Sequence, residues 1–233
     1  MSTPQSSEQK FTGAQLKKRW QPALAAAAQA RGLPHGSSWA AAIDGEVIVS
    51  AVSPIPLARP GMPRTAMWKM TARPMSLDPL LWRALHWEHA VGGQAKQVRI
   101  RVMGPFSVDG LDVGYRQPVI DGTENELREQ AALVVDALVT TAARLRSEQF
   151  DVAAYRAALE AKCRERPELP HLFRVGRVTA AIALGDLDGA RKIIDQVFAE
   201  GDGHGTFVIG DTSIWQLLSA DLIASSGVFA RGS

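Results

Sequence analysis

A chain of 233 residues, 46% hydrophobic and 21% charged, is long enough to bury a substantial core and too apolar to be disordered. Its net charge of +2 gives no reason to expect nucleic acid or an acidic membrane surface as partner. The single cysteine, Cys163, excludes a disulfide framework within the chain and a thiolate-rich zinc site.

The opening residues, MSTPQSSEQK, contain no apolar run, so residues 1–11 read as a flexible polar tail rather than a signal peptide. Thr12 is placed to cap a helix from Ala14 to Arg31, which Gly32 and Pro34 end. Leu16, Trp20, Leu24 and Ala27 or Ala28 fall on one face of it. Ser38–Ile43 and Glu46–Val52 read as strands joined through Asp44-Gly45. That dipeptide predicts a type I′ hairpin turn, because both of its central residues need positive φ.

Four prolines between Ser53 and Arg64 exclude a paired central strand and mark a connection or a ragged edge. A third strand is predicted over Ala66–Ala72, with Arg73-Pro74 as its stop, and a helix over Pro79–His89 that Gly92-Gly93 ends. Val98, Ile100 and Val102 alternate with Arg99 and Arg101, which predicts a half-exposed strand over Val98–Met103. Phe106–Tyr115 supplies one more strand or two, broken at Gly110.

The pattern turns helical at Thr123. Thr123-Glu124-Asn125-Glu126 reads as a capping box. The helix it opens runs to about Ser147, with Leu127, Val134, Val135, Leu138, Ala142 and Leu145 inward. Asp151 caps a helix over Val152–Arg166. Leu172–Leu184 and Leu187–Ala199 then form a hairpin through Gly185-Asp186, and a last helix starts at Asp211 or Thr212. Residues 180–201 resemble a tetratricopeptide-type helix pair, with Ala181 and Ala190 at the helix approach and Phe198 closing the layer. One such unit does not make a solenoid.

The predicted fold is therefore α+β. A mainly antiparallel sheet of about five strands with one inserted helix, in residues 12–122, packs with a C-terminal helical bundle in residues 123–233 as one cooperative unit. Charge is spread unevenly over the two halves. Residues 1–122 carry 14 Lys+Arg against 8 Asp+Glu, and the remainder 12 against 16.

Arg73-Pro74-x-x-Leu77-Asp78-x-x-x-Trp82, followed by Gly104-Pro105-Phe106-x-Val108, resembles an uncharacterised group of bacterial proteins. Those carry Lys-Pro-x-x-Leu-Asp-x-x-x-Trp and then Gly-Ala-Phe before an acidic helix. The resemblance covers roughly residues 12–165, with Arg73 in place of the lysine and Pro105 in place of the alanine. It implies a bacterial α+β domain and carries no reaction with it.

The candidate binding residues cluster at the predicted strand–helix junction: Arg73, Asp78, Trp82, His86, Trp87 and His89. Asp78 before Pro79 suits a helix N-cap, and Arg73 suits an ion pair with it. His86 and His89 stand three apart, as two imidazole ligands on one helix face would. No third ligand is evident, so no metal site is assigned. Trp82 and Trp87 stand five apart and cannot both face inward, which leaves one as an interface anchor.

Cys163 lies among Lys162, Arg164 and Arg166, which would lower its pKa, yet no partner cysteine or placed histidine accompanies it. His35-Gly36-Ser37-Ser38 lacks the elbow of an acyl-transfer serine. Gly201-Asp202-Gly203-His204-Gly205 lacks the lysine of a phosphate loop and reads as a linker.

With no catalytic set and no cofactor motif, the expectation is a non-enzymatic cytoplasmic protein that binds another protein. An immunity protein neutralising a toxin is its most concrete form. The alternative is an enzyme or small-ligand binder using the junction from Arg73 to His89. A nucleic-acid adaptor ranks third, since no recognition motif accompanies the basic and aromatic residues of Arg64–Arg83.

Overall fold

The structure, a computed structural model, describes residues 10–52, 64–88, 94–103, 107–169, 171, 173–201, 208–209 and 212–229. Among these residues the chain is α+β, built on a four-stranded antiparallel sheet and eight α-helices. They group into two compact units interleaved along the sequence. One holds residues up to 44, 48–72 and 112–145; the other holds 45–47, 73–111 and 146 onward.

The first unit opens with α1 (Gly13–Ala30). Its capping box is complete: Thr12 Oγ1 accepts from the Gln15 amide at 3.4 Å, and Gln15 Oε1 accepts from the Thr12 amide at 2.8 Å. The predicted apolar face is the buried one, with Leu16, Trp20, Leu24 and Ala28 all inside.

Strands β1 (Trp39–Asp44), β2 (Val47–Val52), β3 (Trp68–Pro74) and β4 (Leu111–Arg116) form the sheet in the order β1-β2-β3-β4. The β1–β2 hairpin forms where expected, but its turn sits one residue later. Gly45 and Glu46 are the central pair, and Gly45 alone has positive φ, +60°. That is the requirement of a II′ turn, with glycine first.

Helix α4 (Glu124–Ser147) buries the predicted residues together with Ala131. Its cap is half the expected box. Thr123 Oγ1 accepts from the Glu126 amide at 3.3 Å, while Glu126 reaches back past Thr123 to the amides of Asp121 and Gly122.

The second unit contains α2 (Leu77–Ala84), α3 (Gln94–Met103), α5 (Val152–Glu165), α6 (Arg174–Ala183), α7 (Leu187–Ala199) and α8 (Ile214–Phe229), with the short antiparallel ladder β5 (Val208–Ile209) and β6 (Thr212–Ser213). Helix α6 packs on α5, α7 and α2, and α8 packs on α7 and α2. The α6–α7 hairpin forms as expected. Gly185 takes φ +77°, Asp186 Oδ1 caps the Gly189 amide at 2.9 Å, and Ala181 and Ala190 are fully buried. Helix α8 starts later than expected, at a box in which Ser213 and Gln216 each accept the other's amide.

Two expectations fail here, and one strand end moves. Residues 98–103 are not a strand but the end of α3. Five alternating residues fit both periods, because Val98, Arg101 and Val102 also share a helical face. Strand β3 takes in Arg73-Pro74 and ends at Pro74, two residues past the predicted Ala72, and the Met75 amide beyond it donates to the Glu46 carbonyl at 2.7 Å. Proline ends the strand without a ladder donor of its own, which an end position tolerates. The helix after β3 stops at Ala84 and does not reach His89. The proline-rich segment 53–63, Gly92-Gly93, residues 104–106, residues 202–205, His89 and most of the polar tail lie outside the described residues.

Candidate functional site

The junction between β3 and α2 is held by a buried group of charges within the second unit. Arg73 at the end of β3, Asp78 in the first turn of α2 and Arg101 near the end of α3 are 4%, 0% and 9% exposed. Asp78 does not cap α2. That place falls to Ser76, which makes no side-chain bond to the helix. The carboxylate turns inward instead. Its Oδ1 accepts from Arg73 Nε at 3.2 Å and from the Val108 amide at 3.1 Å; its Oδ2 accepts from Arg73 Nη2 at 3.4 Å and from Arg101 Nη1 at 2.5 Å.

The arginines spend further donors on backbone. Arg73 Nη2 donates to the Arg101 carbonyl, and Arg101 Nη1 donates to the Met75 carbonyl at 2.7 Å. The Arg101 guanidinium also lies over the Trp82 ring, 4.7 Å from its centroid. A desolvated contact of that kind is worth about 2 kcal/mol. One carboxylate thus ties a strand end, two helices and the Val108 segment together. Burying these charges is tolerable only because each is paired and hydrogen-bonded.

A second polar group continues from it. The Tyr155 hydroxyl donates to the Asp109 carbonyl, and the Gly176 amide donates to Asp109 Oδ2 at 3.3 Å. Burial pushes the Asp109 carboxyl above its ordinary value, against the lowering effects of the Gly176 amide and Arg73. The Tyr155 phenol is raised for the same reason, with the Asp109 charge adding to it.

The Asp109 shift makes a signed prediction. A carboxyl whose folded pKa is raised contributes stability that is fully present below its unfolded value, about 3.9. That contribution is lost as pH climbs through the folded value. Asn cannot ionise and still offers an acceptor to Gly176. The melting temperature of Asp109→Asn relative to wild type should therefore rise from pH 4 toward neutrality. A difference that falls over that range would refute the assignment.

Helix α2 ends in a Schellman motif. Trp87 N donates to the Trp82 carbonyl at 2.8 Å and His86 N donates to the Arg83 carbonyl at 3.0 Å, with His86 at φ +55°. Glycine usually fills this position; the α6 terminus has it, in Gly185, and α2 has a histidine. His86 is exposed and Trp87 half-buried. The other five tryptophans, 20, 39, 68, 82 and 215, are buried. Since a left-handed residue with a Cβ carries strain, His86→Gly should leave stability unchanged or raise it by up to about 1 kcal/mol. A loss of stability in urea titration would show that the imidazole itself supports the fold.

The structure thus brings Arg73, Asp78 and Trp82 together and adds Arg101, which the alternating pattern sets on the solvent face of a strand. It places His86 and Trp87 outside that group, past the helix end, with His86 in a left-handed turn. Among the described residues no set of three or more His, Cys, Asp or Glu could hold a metal ion. Cys163 departs from its expected lowering: burial raises its thiol, outweighing Arg177 and Arg164.

Sequence reasoning also missed a groove in the first unit, of about 640 Å³, between β4 and α4. Trp68 and Met70 of β3, Gly114 and Arg116 of β4, and Leu133 and Ala137 of α4 line it. The alternation of β4 is too short to reveal it. No described helix is long and apolar enough to cross a membrane. No family model, curated protein or solved structure matches the chain.

Proposed function

We propose that this is a cytoplasmic protein that recognises another protein through the turn at His86-Trp87, an immunity protein neutralising a toxin being the most concrete form. The observation that carries the reading is the division of labour at the junction. Arg73, Asp78 and Arg101 direct their polar atoms at one another and at backbone, while past the end of α2 His86 is exposed and Trp87 half-buried on a doubly hydrogen-bonded turn. A half-buried tryptophan on a rigid base has the form of an interface anchor, since little conformational freedom is left to lose on binding. A left-handed histidine where glycine would be less strained fits a position kept for its side chain.

The motif that carries the resemblance to the uncharacterised bacterial group includes two members of this base, Asp78 and Trp82. An enzyme or small-ligand reading fares worse, because two of its chosen residues, Arg73 and Asp78, direct their polar atoms inward, at each other, at Arg101 and at backbone.

The test is capture from bacterial lysate by immobilised wild type, Trp87→Ala and Tyr115→Ala. A partner held by wild type and Tyr115→Ala and released by Trp87→Ala supports the proposal. A partner held equally by all three removes it.

A further inference from the structure

We propose that the outer edge of β4 pairs antiparallel with the same strand of a second copy of this chain, about a two-fold axis at Gly114. β4 is the last strand of the sheet, and among the described residues no strand pairs with its outer side. The opposite edge is partly covered, by the His35–Ala40 bridge and the hydrogen bond from the Ala41 amide to the Pro34 carbonyl. Among the described residues β4 has no such cover on its outer side. Its six residues include no proline, which would blunt a bare edge.

Its sequence, Leu-Asp-Val-Gly-Tyr-Arg, is self-complementary about Gly114. Residues two apart on a strand share a face. With Gly114 on the axis, Asp112 of each copy opposes Arg116 of the other, and Val113 opposes Tyr115. Opposite charges and an aromatic against a β-branched residue are both favourable cross-strand pairs. Centring the pair on Asp112 or on Arg116 would instead oppose like charges.

The side chains are available. Asp112, Tyr115 and Arg116 are exposed, and Arg116 has no hydrogen bond or ion pair among the described residues. Asp112 meets Lys69 at 2.6 Å with both groups about half exposed, a surface contact that leaves its carboxylate able to take a second cation.

A six-residue ladder alone falls short of the roughly 1,200 Å² that a stable interface buries. The neighbouring groove adds area. An axis perpendicular to the sheet sets α4 of both copies on the same face, which brings up Leu133, 56% exposed beside β4. This inference is independent of the His86-Trp87 reading, which concerns the other unit.

Sedimentation velocity on wild type, Arg116→Asp, Asp112→Arg and the double swap tests it. Wild type should sediment as a dimer. Each single reversal puts like charges opposite twice, once on each side of the axis, and should raise the dissociation constant about tenfold or more. The double swap should restore it. A fifth variant, Gly114→Cys with Cys163→Ser, should cross-link between copies on oxidation, since residues on the axis lie within the Cα range of a disulfide. A monomeric wild type overturns the proposal, as does a dimer indifferent to the single reversals, a swap that fails to restore pairing, or an absent cross-link.

Discussion

Asp78→Ala is expected to cost about 3–5 kcal/mol, the penalty for leaving buried cations without their counter-charge. The magnitude follows from the arrangement. Asp78 is fully buried, and its removal strands two guanidinium groups that are themselves 4% and 9% exposed, together with the Val108 amide. Coulomb attraction alone would not favour burying three charges. The loss is large because the folded state cannot rehydrate what remains. In thermal unfolding this is a drop of roughly 10 °C for a chain of this size. Asp78→Asn should recover part of it, since an amide oxygen still accepts hydrogen bonds but the second arginine stays uncompensated. A loss below about 1 kcal/mol for Asp78→Ala would mean that water reaches the arginines and that the group is not a closed brace.

The second large effect is expected at Gly176 in α6. A Cβ placed there would land on the Tyr155 hydroxyl and 3.0 Å from Leu159 Cδ1. Tyr155 and Leu159 are both fully buried, and Tyr155 is pinned between its bond to the Asp109 carbonyl and an edge-on contact with Phe150 at 6.1 Å. Gly176→Ala should therefore cost about 1–3 kcal/mol by overpacking. Tyr155→Phe alone should cost about 1 kcal/mol for the lost hydrogen bond. Together they should cost less than their sum, because the phenylalanine lacks the hydroxyl that the new methyl group would meet. Chemical denaturation of the four proteins measures the coupling, expected above about 0.5 kcal/mol. Strict additivity would mean that the α5–α6 contact yields elsewhere.

Much of this fold is written in local signals, and those elements were legible. Thr12, Thr123, Asp151 and Asp186 announce helix starts, because a short oxygen-bearing side chain before an apolar period has few other uses. Gly45 and Gly185 announce turns for steric reasons that act within four residues. The α+β class and the helical second half follow from such signals.

What was not legible depends on contacts far apart in sequence. Arg101 reads as an exposed strand residue until Asp78, 23 positions earlier, is known to lie beside it. That single contact turns an apparent β alternation into the buried face of a helix. Asp78 reads as a cap for the same reason: the local chemistry of Asp-Pro is satisfied by capping, and only the arriving arginines give the carboxylate a better use. The left-handed histidine that ends α2 carries no local signal either, since the position favours glycine. Its presence is intelligible only in terms of what a side chain there contacts.

If the charges at the β3–α2 junction brace a recognition turn and are not themselves the recognition surface, binding and folding should separate at Trp87. Partner capture by Trp87→Ala and by wild type, at a temperature where circular dichroism shows both fully folded, decides this. Trp87→Ala should keep its melting temperature to within a few degrees and lose the partner. A folded Trp87→Ala protein that retains the same partner at wild-type strength would be incompatible with recognition through this turn.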